Sequence, residues 1–189
     1  MSVTALEALE KRRTIRNYDP DWKIPKEQLD KILNAALLSP TACDFQGEDF
    51  IVVTNKEKLA KLEEVVINYL PENDLKKHFL ERRERHGVKN VVTCDAPMVI
   101  LIVKNERASE DWIKIDCGIA SMSIMIAAQN FGIESMCLGV VAMKETQEKC
   151  EQLFELKKSS LVLGVAIGKP KGKIELKEKV IKSKVSYIE

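Results

Sequence analysis

The sequence predicts an α+β domain in which a small sheet is surrounded by helices. Segments with helical apolar spacing dominate the chain, and short apolar runs of strand length fall between them. No Gly-x-Gly-x-x-Gly follows any of those runs, and strict strand–helix–strand alternation is weak, which argues against a parallel dinucleotide-binding sheet. At 189 residues the chain suits one domain spanning 1–189, with an extended tail over about 170–189.

Thr4-Ala5-Leu6-Glu7 reads as a capping box that opens a first helix towards Arg13. Pro25 marks the start of a second. Its apolar residues Leu29, Ile32, Leu33, Ala36 and Leu37 follow at helical spacing, and Pro40 marks its stop. Phe50 to Val53 is a short strand. Thr54-Asn55-Lys56-Glu57 reads as a second capping box for a helix that Pro71 ends. Glu72 to His86 reads as one charged surface helix, and Met98 to Val103 as a buried strand. Trp112 to Phe131 carries almost no charge after Asp116, so it reads as a long helix covered on most sides, with Gly132 as its C-terminal cap. Glu134 to Val141 is a strand, with Gly139 permitting close backbone contact. Lys144 to Leu156 is an amphipathic helix, and Leu161 to Ile167 a last strand before a basic tail.

Composition narrows the function classes. Apolar residues at 45% are enough for a core, so disorder is excluded as the main state. Thirty Lys plus Arg against 29 Asp plus Glu leaves no basic excess for nucleic acid or an anionic membrane. Met1 to Arg13 has no apolar signal core, and Cys117 to Ile133 is interrupted by Ser121, Ser123, Gln129 and Asn130, so no membrane span is expected. Five cysteines with no Cys-x-x-Cys pair fit a reduced, cytoplasmic chain.

Four local clusters bear chemistry. Arg12-Arg13-Thr14-Ile15-Arg16 places three guanidiniums and a hydroxyl within five residues, and the guanidinium fork suits phosphate. By itself it also suits a solvated helix end. Ser39 to Gln46 is a loop of small and polar residues that would let backbone approach a flat ligand. Gly132 to Gly139 reads as helix stop and strand. Lys182-Ser183-Lys184 lies in a tail that reads as a solvated end.

In their order and spacing these clusters resemble the FMN-dependent nitroreductase family. The Arg-Arg-Thr-Ile-Arg run is similar to that family's N-terminal Arg-Arg-Ser-x-Arg signature. Ala36 to Val53 resembles its Ala-Pro-Ser-x-x-Asn-x-Gln loop and following strand, and Asp116 to Val140 its core helix and Gly-Leu-Gly turn. Leu163-Gly164 to Pro170 and Lys182-Ser183-Lys184 resemble its late strand and basic tail pair, so the likeness covers nearly the whole chain.

The resemblance implies a small, mostly antiparallel central sheet, an intertwined homodimer with the site between two chains, and FMN as cofactor. Arg12, Arg13 and Thr14 would hold the phosphate and ribityl chain, with Lys182 and Lys184 closing on the phosphate. Arg16 would lie near flavin N1 and O2, where a cation stabilises the anionic reduced ring. Pro40, Thr41, Ala42, Asp44 and Gln46 would contact the ring from the partner subunit, and Cys137, Leu138 and Gly139 would pass beside it near N5. Lys89 or Asn90 would be loose candidates for the ring edge.

Two departures stand out. Asp44 replaces the family's usual Asn, and it would either lower the flavin potential through its charge or sit protonated. Gly47-Glu48 replaces a common Pro-Trp, leaving a less bulky, more acidic loop.

The implied activity is an NADH- or NADPH-dependent oxidoreductase working by ping-pong hydride transfer through flavin N5. No side chain is an obvious general acid. Nitroaromatics, quinones or similar conjugated compounds would be the acceptors. The alternative is a flavin-binding carrier or sensor without significant turnover; a third reading is a structural dimer without flavin. A peroxidatic thiol at Cys43 has the wrong spacing from Pro40 and Thr41, and Cys117 and Cys137 read as small core residues. His78 and His86 lie among Lys76, Lys77, Arg82, Arg83 and Arg85, a poor setting for a metal. Met122 and Met125 read as core packing.

Overall fold

The computed structural model describes residues 3–173 and 179–189. Residues 174–178 of the expected tail lie outside the described residues, and 179–189 form neither helix nor strand. The elements follow the predicted order: α1 (Ala5–Lys11), α2 (Lys26–Leu37), β1 (Glu48–Val53), α3 (Lys56–Tyr69), α4 (Asp74–Leu80), α5 (Arg82–His86), β2 (Met98–Lys104), α6 (Ile113–Gln129), β3 (Glu134–Cys137), α7 (Gln147–Phe154) and β4 (Leu161–Gly168).

The four strands form one sheet in the order β1-β2-β4-β3, every neighbour antiparallel. The apolar run of β2 is explained by burial on both faces. Val99, Leu101 and Val103 enter one core with Leu62 and Val66 of α3 and Phe154 of α7. Met98, Ile100 and Ile102 enter the other with Ile32 of α2 and Ile124 of α6. Period-two alternation thus feeds two helical layers, one on each face of the sheet.

The Thr4–Glu7 capping box forms on both sides. The second expected box does not. Asn55 caps α3 instead, accepting from the backbone N–H of Lys58. Asn is at least as good an N-cap as Thr, and a one-residue shift leaves Glu57 in the first turn beside the dipole.

The expected single helix over Glu72–His86 is two helices hinged at Glu81, whose ψ of −18° tightens the turn. The bend turns Phe79 and Arg82 inward, so this segment is not wholly surface-lying. Gly87 at φ 64° ends α5.

The strand expected to reach Val141 stops at Cys137. Leu138 leaves strand geometry, and Gly139–Ala142 forms a 3₁₀ turn. Leu138 still donates its N–H to Gly164 O at 2.7 Å. A Cβ at Gly164 would sit 3.2 Å from Leu138 Cβ, so glycine there admits the close approach.

Helix α6 is less covered than its composition predicts. Ile115 is 54% exposed and Ile119 37%. Among the described residues, no helix is long and apolar enough to cross a membrane.

Candidate functional site

The segment after α1 runs beside β3. Thr14 forms a parallel bridge with Ser135, and Ile15 donates its N–H to Ser135 O at 3.4 Å. This brings the arginine run against the strand that ends in Cys137 and Leu138. Arg12 Nη1 lies 3.7 Å from Met125 Sδ on α6, and Cys137 Sγ lies 3.7 Å from the same sulfur. Met125 is therefore core packing, as expected, and also the post around which Arg12 and Cys137 gather. Arg13 Nη1 donates to the carbonyls of Glu10 and Arg12 at 2.6 and 2.9 Å, folding its side chain back over the helix end.

Cys137 is exposed, unlike the core residue expected from its apolar neighbours. The early end of β3 turns it outward at the sheet edge. Gly139 lies in open space, where an added Cβ would meet no atom within 4 Å. Cys117 is buried as expected, Cys150 is buried as well, and burial pushes both thiols up to about 12.

The Pro40–Gln46 loop runs along α6 towards its N-terminal end. Ala42 N–H donates to Asp116 Oδ1 at 3.2 Å, and Ser39 Oγ donates to Ser123 Oγ at 2.7 Å. Asp116 and Met125 are separated by nine residues of α6, about 14 Å along the axis. The Asp116 anchor of the loop and the arginine run therefore stand apart on one chain, while the loop's entry at Ser39 lies near Met125.

The loop itself is strained and braced. Cys43, Asp44 and Gln46 all have positive φ. Gln46 N–H donates to Thr41 Oγ1 at 3.1 Å, and Gln46 Nε2 to Asp44 Oδ1 at 2.9 Å. Arg107 and Asn105 donate to Gln46 O at 2.9 and 3.1 Å. A Cβ on Gly47 would fall 2.6 Å from Ala108 Cα, so the loop's exit needs glycine.

Glu48 does not make the loop surface acidic as its sequence position suggests. Its carboxyl is buried, and Oε2 has no hydrogen-bond partner. Burial pushes its pKa up, with the charges of Asp116 and Asp49 adding to the rise. The folded chain thus binds this proton more tightly than the unfolded chain, so stability falls as pH rises through the interval between the two pKa values. Glu48→Gln is expected to melt higher than the parent above about pH 7 and to converge with it below about pH 4. Thermal melts of both proteins across that range check this.

The remaining candidates are placed as follows. Lys182 and Lys184 are exposed, and no described contact joins either to the arginine run. Lys89 is exposed. Asn90 is spent on structure: its amide donates to Leu59 O of α3, and its side-chain oxygen accepts from the N–H groups of Val92 and Thr93 in its own turn. Among the described residues, no group of three or more His, Cys, Asp or Glu could hold a metal ion.

Sequence reasoning missed Asp116 as the loop's anchor, Met125 as the shared post, and Arg82. The guanidinium of Arg82 stacks on the Phe79 ring at 3.9 Å and donates to Val91 O at 3.1 Å. Spacing of Phe79 and Arg82 three apart is the one sequence signal that could have shown it.

Comparison with known proteins agrees with this geometry. The family model described as the Nitroreductase family matches residues 9–169. A Methanothermobacter thermautotrophicus protein provisionally named an NADH dehydrogenase/NAD(P)H nitroreductase is 33% identical, over 82% of this chain and 70% of its own length. The CLA biosynthesis enone reductase of Lactiplantibacillus plantarum is 25% identical, over 84% of this chain and 82% of its own. A Bacteroides fragilis nitroreductase solved with bound FMN superposes with a TM-score of 0.81 at 25% identity, over 100% of each chain. With the family model matched over residues 9–169 and a relative 33% identical over 82% of the chain, this chain belongs to the nitroreductase family of oxidoreductases.

Proposed function

We propose that this chain is an FMN-dependent NAD(P)H oxidoreductase that works as a homodimer. The observation that carries the reading is the arginine run laid against β3 beside the open space at Gly139. Buried polar atoms at that seam lack partners, among them Arg16 Nε and Ser135 Oγ, which is the donor set a polar, anionic cofactor would use. When bound, FMN would supply hydride transfer at N5 between NADH or NADPH and an acceptor, in ping-pong fashion.

The protein's own residues bind and orient. Arg12, Arg13 and Thr14 would hold the phosphate and ribityl chain, with Lys182 and Lys184 of the tail closing on it. Arg16 would face the N1 and O2 edge. Cys137, Leu138 and Gly139 would line the ring, Gly139 leaving room for it. Pro40, Thr41, Ala42, Asp44 and Gln46 would serve the partner subunit's ring, which accounts for a loop anchored about 14 Å along α6 from the same chain's arginines. A conjugated acceptor, such as a nitroaromatic, quinone or enone, suits a flat slot between ring and loop. The enone reductase among the relatives supports that class.

Three features support the dimer. Apolar side chains of Leu9, Ile119, Met122 and Ile126 line an open cavity of about 600 Å³ between α1, α2 and α6. Leu37 and Leu38 beside it are 65% and 75% exposed. The tail carries Val180, Ile181, Val185, Tyr187 and Ile188, each at least 77% exposed. A second copy would cover all three.

The test is the absorption spectrum of the purified protein, flavin released by heat and compared with FMN and FAD, then NAD(P)H oxidation with and without an acceptor. Stoichiometric FMN with acceptor-dependent oxidation is the expected result. Bound FMN without turnover would favour a carrier or sensor, and no flavin with no uptake of added FMN would overturn the proposal.

Asp44 makes a finer prediction. Its exposed carboxylate accepts from Gln46 Nε2, a bond that asparagine can also accept. A negative charge there opposes the reduced ring, by about 1 kcal/mol at contact distance in a solvated setting. Asp44→Asn is therefore expected to raise the two-electron midpoint potential by roughly 20 mV. Redox titration against a reference dye reads the shift directly.

A further inference from the structure

The buried, partnerless polar atoms are not scattered. Arg16 Nε and Tyr18 Oη belong to the residue 14–18 segment and Arg82 Nε to α5, and the two segments meet where Tyr18 N–H donates to Cys94 O at 3.0 Å while Arg82 Nη1 and Cys94 Sγ share Val91 O. Their charges act on one another: Arg16 acts on Tyr18, on Arg82 and on His86. Arg82 is 7% exposed and Tyr18 0%. Arg82 spends Nη1 on Val91 O and its face on Phe79, leaving Nε bare.

Carboxylates stand around this cluster, with Glu134 acting on Tyr18, Asp95 on Cys94, and Glu81 paired with Arg85 at 2.8 Å, but no described ion pair joins one to Arg16 or Arg82. The charged groups that bear on His86 are Arg16 from the entry segment, Arg85 and Arg82 from α5, and His78 from α4. The acid facing Arg82 is the Cys94 thiol, which burial pushes up to about 11, so it stays neutral. A buried guanidinium such as Arg82 without a paired counter-charge is costly. A negatively charged ligand edge would supply the counter-charge that Arg16 and Arg82 do not meet among the described residues.

We propose that Arg82 and His86 are positioning residues forming a second cationic layer behind Arg16, matched to a ligand edge that becomes anionic on reduction. The inference rests on the FMN reading, in which Arg16 faces the N1 and O2 edge of the ring. In the oxidised ring that edge is neutral, and after two electrons and one proton it carries the negative charge. Arg82 and His86 do not touch the ring; they hold Arg16 in a field that favours the anion and raise the flavin's midpoint potential.

The test is the affinity of the holoprotein for oxidised and reduced FMN, with the midpoint potential, in Arg82→Gln and Arg82→Lys. Glutamine retains a donor for Val91 O and removes the charge. Arg82→Gln is expected to weaken reduced FMN about tenfold more than oxidised FMN, a fall of about 30 mV in the two-electron potential. Arg82→Lys is expected to restore most of it. Equal weakening of both redox forms, with the potential unchanged, would mean a purely structural role and would overturn the inference.

Should Arg82→Gln fail to fold, His86→Gln decides. Burial and then the surrounding cations push the His86 pKa below its usual value, so the layer gains its charge only on the acid side. The parent's potential is expected to rise above that of His86→Gln as pH falls below the usual imidazole range and to meet it at about pH 8. A difference that does not change with pH overturns the inference. A parent chain that binds no FMN would overturn the functional reading itself, and is told apart by the first titration.

Discussion

Replacing Arg12 and Arg13 together with alanine is expected to weaken FMN binding by about a hundredfold or more while the fold survives. Each guanidinium would give the phosphate a charge-assisted hydrogen bond of roughly 1.5–3 kcal/mol, so losing two removes about 3 kcal/mol or more. Every 1.4 kcal/mol is about tenfold in affinity. The fold should tolerate the change because neither side chain is part of a core. Helix α1 is held by the Thr4–Glu7 box and by Ala8, its one buried residue. Arg12 makes a long contact to Met125 and lies near Glu134 at the edge of the sheet, and Arg13 folds back on carbonyls of its own segment. Quenching of flavin fluorescence on titration gives the affinity, and far-ultraviolet circular dichroism checks the fold. An unchanged Kd would remove these two residues from the phosphate site.

The largest effect on stability is expected at the centre of the sheet. Ile102 is 0% exposed in β2, paired with Phe50 of β1 on one side and Leu163 of β4 on the other. Ile102→Ala removes three carbons from the core shared with α2 and α6 and leaves a cavity that strands bonded on both sides cannot close. Such truncations cost about 2–5 kcal/mol. For a domain of this size, about 3 kcal/mol corresponds to a fall of roughly 6–12 °C in Tm. Differential scanning calorimetry measures it. A fall under about 2 °C would mean that the α2–α6 layer relaxes into the space, and that packing there is looser than the burial suggests.

Helix and strand order was legible in the sequence because the signals are local. The Thr4–Glu7 box, Pro25 before α2 and the unbroken apolar run of β2 each act within a few residues. Errors fell where neighbours compete. Asn55 took the cap expected of Thr54, and Glu81 broke a helix that charge alone made look continuous. The end of β3 at Cys137 depends on Gly164, distant in sequence, which lets Leu138 drop towards β4.

The site divides in the same way. The arginine run and the small polar loop stand out in the sequence because phosphate and flat ligands need those residue types close together. Their relation does not. Only the tertiary structure lays the run along β3 by the Thr14–Ser135 bridge, pins the loop to Asp116 and separates the two along α6. Glu48 and Arg82 show why. Each is a charged residue in a charged neighbourhood, which in sequence reads as solvated surface, and each is buried by residues far along the chain. The sequence by itself determined the elements, the two-faced core strand and the family, because periodicity, caps and motif spacing are short-range. Tertiary structure alone decided which charges lose their water and gather at the site, because desolvation is set by packing between distant segments.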